Sequence, residues 1–374
     1  MTDKRTNDTP FLFYENTMTP EGMVSVSQIN SFLACRRRWH YAYREGLRQR
    51  RERDYLTVGK LCHAGMEAAM RARWEWRDSV QELDGPAPDL HDLVEVGNEA
   101  IHQMWEGYME VTDFLDEELP EQRELLDRAL DVFEEALEEF DPLRWMPVTV
   151  TRDGEPIPAL ELHFVVPCAG SAGLHGYIDA IMEDLETGQI WCVDYKFRRT
   201  LAADDDERFN LQNAVYMMAC RQMGIDVAGT MTWQRYNTPS AVPKFNRDGS
   251  ISRTKIRCSW PRFRRFVIDA GLDPDDYADM EEKLADVEMC RATKEVRSDE
   301  MIDLVWSQVV ESASVDIGLI RESTSYMSYM LCAPSMDPWT CRMCSFQSLC
   351  QAELRGYDAD YIREAEYTLR THRQ

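Results

Sequence analysis

Asp194, Tyr195 and Lys196 stand in QIWCVDYKF, where apolar and polar residues alternate as they do in a half-buried strand. Period-two geometry puts Asp194 and Lys196 on one face and Trp191, Val193, Tyr195 and Phe197 on the other. Thr187-Gly188 reads as a two-residue hairpin turn back to a strand over 176–185, so that Asp179 opposes Lys196 and lies diagonal to Asp194. Two carboxylates and an ammonium on one sheet face are costly to bury unless a cation offsets them. Asp oxygens suit Mg²⁺ or Mn²⁺, hard ions that also hold water and phosphate oxygens. The chemistry this permits is metal-assisted hydrolysis, with Lys196 orienting or deprotonating the attacking water. The same spelling recurs at Glu281-Glu282-Lys283. There it has neither a strand nor a partner carboxylate, and it reads as a helix surface.

Other residues extend this set. Glu161, in ALELHFVVP, is a third carboxylate that either joins the group or faces water. Gln212 and Tyr216 are i and i+4 on the next helix, one face together, able to touch a phosphate and a base or sugar. Gly59, His63 and Glu67 follow at intervals of four along one helical stripe, and His63 is a candidate metal ligand or water-orienting group. Near the end, Cys341, Cys344 and Cys350 form C-x2-C-x5-C, three thiolates within reach of one centre. Cys35 is the first choice for a fourth and Cys332 the second, and four thiolates suit a [4Fe-4S] cluster or Zn²⁺. The other cysteines, Cys192 and Cys220 among them, read as small core hydrophobes.

The elements that position these residues follow from periodicity. Residues 1–22 read as a polar tail. Ser27 reads as the N-cap of a helix carrying Ile29, Phe32, Leu33 and Trp39, and a second helix is predicted from about Thr57 to Arg73. Together, 23–73 form an N-terminal helical segment. Residues 74–145 read as an acidic helical insertion, with Leu126, Leu130, Phe133, Leu137 and Phe140 on a stripe opposite the acids. Strands over 146–197, a helix over 208–224 and a strand over 227–236 make an α/β core, 146–236, around a small mixed sheet. Residues 237–330 are predicted to be mostly helical, and 331–374 hold the cysteine cluster and a last helix.

The 374 residues carry a formal charge of −25, and 10% are aromatic, too many for a chain that never collapses. No apolar run is long enough to span a bilayer, and MTDKRTNDTP has no apolar stretch behind its charges. The expectation is a cytosolic protein with reduced thiols and no membrane contact. The acidic total is unevenly spread: residues 36–53 hold eight Arg against two Glu, and 255–265 hold five bases and no acid. Arg36, Arg37 and Arg38 are candidates to track a nucleic-acid backbone, with Trp39 and Tyr43 either stacking on bases or packing in the core.

Taken in order, SVSQINSFLACRRRWHYAY, G-x-x-x-H at 59–63, GYIDAI with Asp179, DYK at 194–196, Q-x-x-x-Y at 212–216 and the closing C-x2-C-x5-C resemble the RecB-like branch of the PD-(D/E)XK nucleases. The resemblance is closer to its iron-sulfur members, such as the AddB nuclease domain and the CRISPR-associated exonucleases. It implies a [4Fe-4S] cluster on Cys35, Cys341, Cys344 and Cys350 that staples the N-terminal segment to the C-terminal one. It also implies metal binding by His63, Asp179 and Asp194, with Lys196 serving the attacking water. The acidic insertion departs from the pattern. No G-x-x-x-x-G-K followed by Ser or Thr occurs, so any motor would come from a helicase or recombination partner. The expected activity is metal-dependent hydrolysis of DNA, foremost as an exonuclease on single strands or ends in repair, recombination or phage DNA processing. The alternatives are a catalytically idle DNA-binding or assembly subunit and a zinc-binding interaction protein.

Overall fold

A computed structural model describes residues 22–50, 54–79, 87–111, 118–241 and 243–370. The tail expected over 1–22 lies outside these apart from Gly22, as do Arg51 and Arg53 of the basic run.

The chain opens with β1 (Val24–Ser25), α1 (Val26–Ala34), α2 (Arg36–Trp39), a π-turn (His40–Arg44) and β2 (Leu47–Gln49). Three long helices follow, α3 (Asp54–Ser79), α4 (Leu90–Val111) and α5 (Leu119–Phe140). The central run is β3 (Trp145–Pro147), β4 (Thr149–Arg152), β5 (Glu155–Pro158), β6 (Leu160–Val166), β7 (Leu174–Asp184), β8 (Ile190–Arg198), α6 (Asp204–Arg208), α7 (Leu211–Gln222) and β9 (Gly229–Tyr236). After it come α8 (Trp260–Asp269), a 3₁₀ turn (Pro274–Tyr277), α9 (Asp279–Leu284), β10 (Cys290–Glu295), α10 (Asp299–Val305), a π-turn (Trp306–Glu311) and α11 (Ser312–Glu322). The end is α12 (Ser325–Leu331), α13 (Pro338–Arg342), α14 (Gln347–Arg355), α15 (Ala359–Glu366) and β11 (Tyr367–Leu369). No helix among the described residues is long and apolar enough to cross a membrane.

The fold is mixed α/β. Strands run in the order β1-β7-β8-β9-β10, and β3 and β6 also pair with β7. The pair β8/β9 is parallel, while β6/β7, β7/β8 and β9/β10 are antiparallel. The alternation in β8 divides the core as the sequence predicts. Cys192 joins one apolar cluster with Ile29, Phe32, Met218 and Ile317, whereas Trp191, Val193, Tyr195 and Phe197 join another with Leu61, Met66, Phe133 and Phe140. Helices α1, α7 and α11 therefore cover one face and α3, α4 and α5 the other. Phe133 locks α5 onto its neighbours: a Cβ on Gly97 would sit 2.0 Å from its ring and one on Gly65 2.7 Å away. Truncating a ring so enclosed typically costs about 3–5 kcal/mol.

Several expectations are corrected. The first helix is capped by Ser25, whose Oγ accepts the Gln28 amide at 3.2 Å, because pairing of Val24–Ser25 with β7 keeps the chain extended up to Ser25. Ser27 lies inside the helix, which ends where Cys35 turns extended. The β7/β8 connection is a four-residue loop over 185–188, not a two-residue turn: Asp184 accepts the Thr187 and Gly188 amides and donates to Gln189. The register therefore moves by two residues and pairs Ala180 with Val193, which brings Asp179 level with Asp194 instead of Lys196. Faces are conserved by a shift of two, so the side chains still meet. The region expected to be helical after 237 also contains β10 at the sheet edge. Its sequence, CRATKE, is too polar to announce a strand.

The acids of α5 do not all face away from the core. Glu135 is buried and binds the fully buried Arg235 of β9, Arg262 of α8 at 2.8 Å and both Ser240 N–H and O–H; Glu139 also reaches Arg235, at 2.9 Å. The chain ends are joined directly. β11 pairs with β2, and Glu353 accepts from Arg37, Tyr41, Tyr329 and Arg363.

Candidate active site

The antiparallel ladder of β7 and β8 stops at Ala180–Val193, and the strands part just where Asp179 and Asp194 would face one another. The Asp179 carboxylate closes the gap by accepting the Tyr195 backbone N–H at 2.9 Å. From the other face, α3 brings His63, whose Nδ1 lies 3.5 Å from Asp179 Oδ2 and whose ring meets Tyr195 and Phe197 edge-on. β6 brings Glu161. The β6/β7 ladder pairs Leu160 with Ala180 and Leu162 with Ile178, leaving Glu161 between them at φ 44°. A non-glycine residue held in that left-handed region costs about 1–3 kcal/mol, which surrounding contacts must sustain. One ligand atom each of His63, Glu161 and Asp179 fall within 4.8 Å of one another, spacing suited to a shared cation.

Asp194 is buried. Its Oδ1 accepts from Lys196 Nζ at 2.7 Å and Gln212 Nε2 at 3.2 Å, while its Oδ2 has no partner. Gln212 also donates to Tyr216 and accepts weakly from Lys196, so the first turn of α7 forms one hydrogen-bonded group with β8. Asn210 caps that helix, its Oδ1 accepting the Gln212 amide at 3.0 Å, and so fixes the angle at which Gln212 meets Asp194.

Burial pushes the Asp194 carboxyl up to about 6 against the pull of Lys196. Burial, then Asp179, Glu67 and Asp194, push Glu161 up to about 9. Glu67, one turn beyond His63, is also raised by burial although Arg71 binds it at 2.7 Å. Lys196 stays firmly protonated, since Asp194 and Asp179 outweigh its burial. An acid group this crowded, with an orphaned buried oxygen, is what the donor set of a hard divalent cation looks like without its ion. Glu67 lay on the stripe noted in the sequence, but without the fold nothing showed that its charge reaches Asp179.

The predicted nucleic-acid contacts lie elsewhere. Trp39 is fully buried edge-on to Phe32, and the buried Arg37 is spent on Glu353 and the Cys332 carbonyl, so neither side chain is free for a strand. Arg36 pairs with Asp316, Arg38 donates to Ser31, and Tyr43 lies under Arg370. The joining of the chain ends takes up Arg37 and the core cluster takes up Trp39, while Arg36, Arg44, Arg48 and Arg50 of this run stay exposed. Nearby, Cys35 Sγ accepts the Arg38 and Ser335 amides, both at 3.4 Å, and Cys344 Sγ the Phe346 amide at 3.4 Å. Cys35 and Cys341 lie in electrostatic reach of Cys344, as Cys35 and Cys344 do of Cys350. These four are half-buried. Cys332 is fully buried in the core cluster, as are most of the remaining cysteines. Glu281, Glu282 and Lys283 are exposed on α9.

The model of one protein family, the PD-(D/E)XK nuclease superfamily, matches residues 23–351. No curated protein matches the chain.

Proposed function

The chain belongs to the PD-(D/E)XK nuclease superfamily, whose members hydrolyse phosphodiesters with divalent metals, and from that premise we propose that it is an exodeoxyribonuclease acting on single-stranded DNA or DNA ends. The observation that carries the catalytic reading is the fork between β7 and β8, where His63, Glu161 and Asp179 share one point and the buried Asp194 keeps an oxygen free.

In this reading His63, Glu161, Asp179 and Asp194 hold Mg²⁺ or Mn²⁺. A cation there supplies charge neutralisation at the scissile phosphate and a water of lowered pKa. Lys196, held by Asp194, directs its ammonium at the phosphate and orients the attacking water. Gln212 keeps Asp194 turned toward the fork, and the Tyr216 phenol, kept protonated by burial, keeps Gln212 in place. The four half-buried cysteines, with amides already donated to two of their sulfurs, suit a [4Fe-4S] cluster. Such a cluster would reinforce the joint between the chain ends. Lacking a motor motif, the protein would rely on a helicase or recombination partner to feed it duplex.

The test is digestion of end-labelled linear single-stranded DNA beside a covalently closed circle, in Mn²⁺ or EDTA, for wild type and Asp194→Ala. Loss of the linear strand alone, dependent on Mn²⁺ and absent in the variant, is expected. Cutting of the circle makes the protein an endonuclease, and cutting of neither by cluster-loaded protein points to a binding subunit.

A further inference from the structure

Between β9 and β10, residues 237–289 leave the sheet and build a small apolar cluster of their own from Ile251, Cys258, Phe263, Val267, Tyr277 and Met280. The excursion begins with a loose hairpin. Ala241 and Arg257 exchange backbone hydrogen bonds, Ser252 donates to the Lys244 carbonyl, and the tip closes from Asn246 to Ser250. Ile251, whose amide donates to the Tyr277 hydroxyl at 2.9 Å, and Cys258 anchor the hairpin in that cluster.

Residues 241–265 carry eight bases and a single acid in a chain of charge −25. The acid, Asp248, is taken by Ser250 in its own turn. Arg262 and Arg265 are held by Glu135 and Glu138 of α5, and Arg253 by Asp279. Lys244, Arg247, Lys255 and Arg264 are exposed, and their side chains have no hydrogen-bond or ion-pair partner among the described residues. Between the first two stands Phe245, 57% exposed. Its ring rests on Phe266 on one side, centroids 5.7 Å apart. A patch of cations around a half-open ring is the composition that grips single-stranded nucleic acid, cations along the backbone and the ring's open side against a base.

Its place in the fold supplies the second observation. Asp194, Lys196 and Arg198 lie on one face of β8, and the parallel register sets Tyr236 beside Arg198 on that face. Asn237 donates to the Arg198 carbonyl at 2.8 Å, and the exposed Arg257 guanidinium lies 4.0 Å over the Tyr236 ring. The hairpin is thus rooted two residues beyond Lys196, about 7 Å of strand.

We propose that this hairpin, with Arg264, is the track that holds single-stranded DNA beside the catalytic fork. Arg257 meets the backbone nearest the fork, Lys244, Arg247, Lys255 and Arg264 hold phosphates further along, and Phe245 stacks on a base. The proposal rests on the nuclease reading above.

The test compares wild type with a Lys244→Ala, Arg247→Ala, Lys255→Ala, Arg264→Ala variant, measuring oligothymidylate binding by fluorescence anisotropy across a salt series in EDTA, where no strand is cut. Binding should weaken on the order of 100-fold at low salt, and the slope of log affinity against log salt should become shallower by about 3. Mn²⁺ affinity, read by electron paramagnetic resonance, should not change. A companion that exchanges Lys for Arg and Arg for Lys at the four positions should keep the wild-type slope. Phe245→Ala should weaken single-strand binding about tenfold and leave duplex binding alone. Wild type that cuts DNA while the alanine variant binds with unchanged slope overturns the track and spares the nuclease reading; wild type that neither binds nor cuts overturns both. Loss of Mn²⁺ together with DNA also overturns the track, because the cations would then support the fork itself. Equal loss on duplex in Phe245→Ala makes the hairpin a duplex clamp and overturns the single-strand claim.

Discussion

Adding Mn²⁺ to metal-free protein at pH 7 should release about one proton per ion bound. Glu161, pushed up to about 9 by burial and the surrounding acids, is almost wholly protonated at that pH, and a carboxylate must be ionised to serve as a ligand. Asp194, at about 6, is mostly ionised already and adds about a tenth of a proton. The same two groups predict release of about 1.8 protons near pH 5.5 and about half a proton at pH 9. Because the ion-bound form holds fewer protons, affinity rises with pH, by about tenfold per unit between pH 7 and 8, and levels off above 9. Isothermal titration in two buffers of different ionisation enthalpy measures the count directly. In Glu161→Gln the release at pH 7 should fall to about a tenth of a proton and the affinity should lose its pH slope. A wild-type release near zero at pH 7, or an equal release in Glu161→Gln, refutes the placement of Glu161 in the ion's shell.

Other expectations are simpler to state. Lys196→Ala should lower turnover by about 10²–10⁴ while Mn²⁺ affinity stays within a few-fold, and cleavage at the wild-type rate would remove Lys196 from the mechanism. Arg37→Ala should cost about 2–4 kcal/mol in urea unfolding, because Glu353 loses a buried partner, with little change in cleavage per folded molecule. An equal cost when Glu353 is already Gln would show that the pair is not coupled. Cys35→Ser should abolish the brown colour and iron content expected of the purified protein; a colourless wild type holding one zinc ion would refute the cluster.

The face on which Asp194 and Lys196 lie was legible in the sequence, because period-two alternation survives any detail of pairing. The register was not. A loop two residues longer, both of them taken from the end of β7, is invisible in the composition of LETGQ, and it moved Asp179 from Lys196 to Asp194. Glu161 could be named but not placed, since its approach to His63 depends on a left-handed residue inside a strand that local propensity disfavours. Trp39 and Arg37 misled for a tertiary reason. Nothing local in a basic, aromatic run shows that Trp39 turns into the core beside Phe32 or that segments some 300 positions later take up Arg37. Of the hairpin at 241–257 only the end was legible in the sequence, as the basic stretch 255–265; the rest of it, and its root beside Lys196, came from the fold and β8/β9 pairing.

The joint between the chain ends also sets a timetable for synthesis. Cys35 and the Ser335 amide that it accepts are 300 positions apart, and Glu45 is 318 from Arg363. At about 5–20 residues per second, the ribosome leaves the first fifty residues without their partners for roughly 15–60 s. Throughout that interval Tyr41 and Leu47, which end up packed with Phe346, Leu349 and Tyr367, are uncovered, and Cys35 is an unshielded thiol. The nascent chain is therefore most exposed to aggregation and oxidation before its last segment emerges, and a truncation after α11 should prolong that vulnerable state indefinitely.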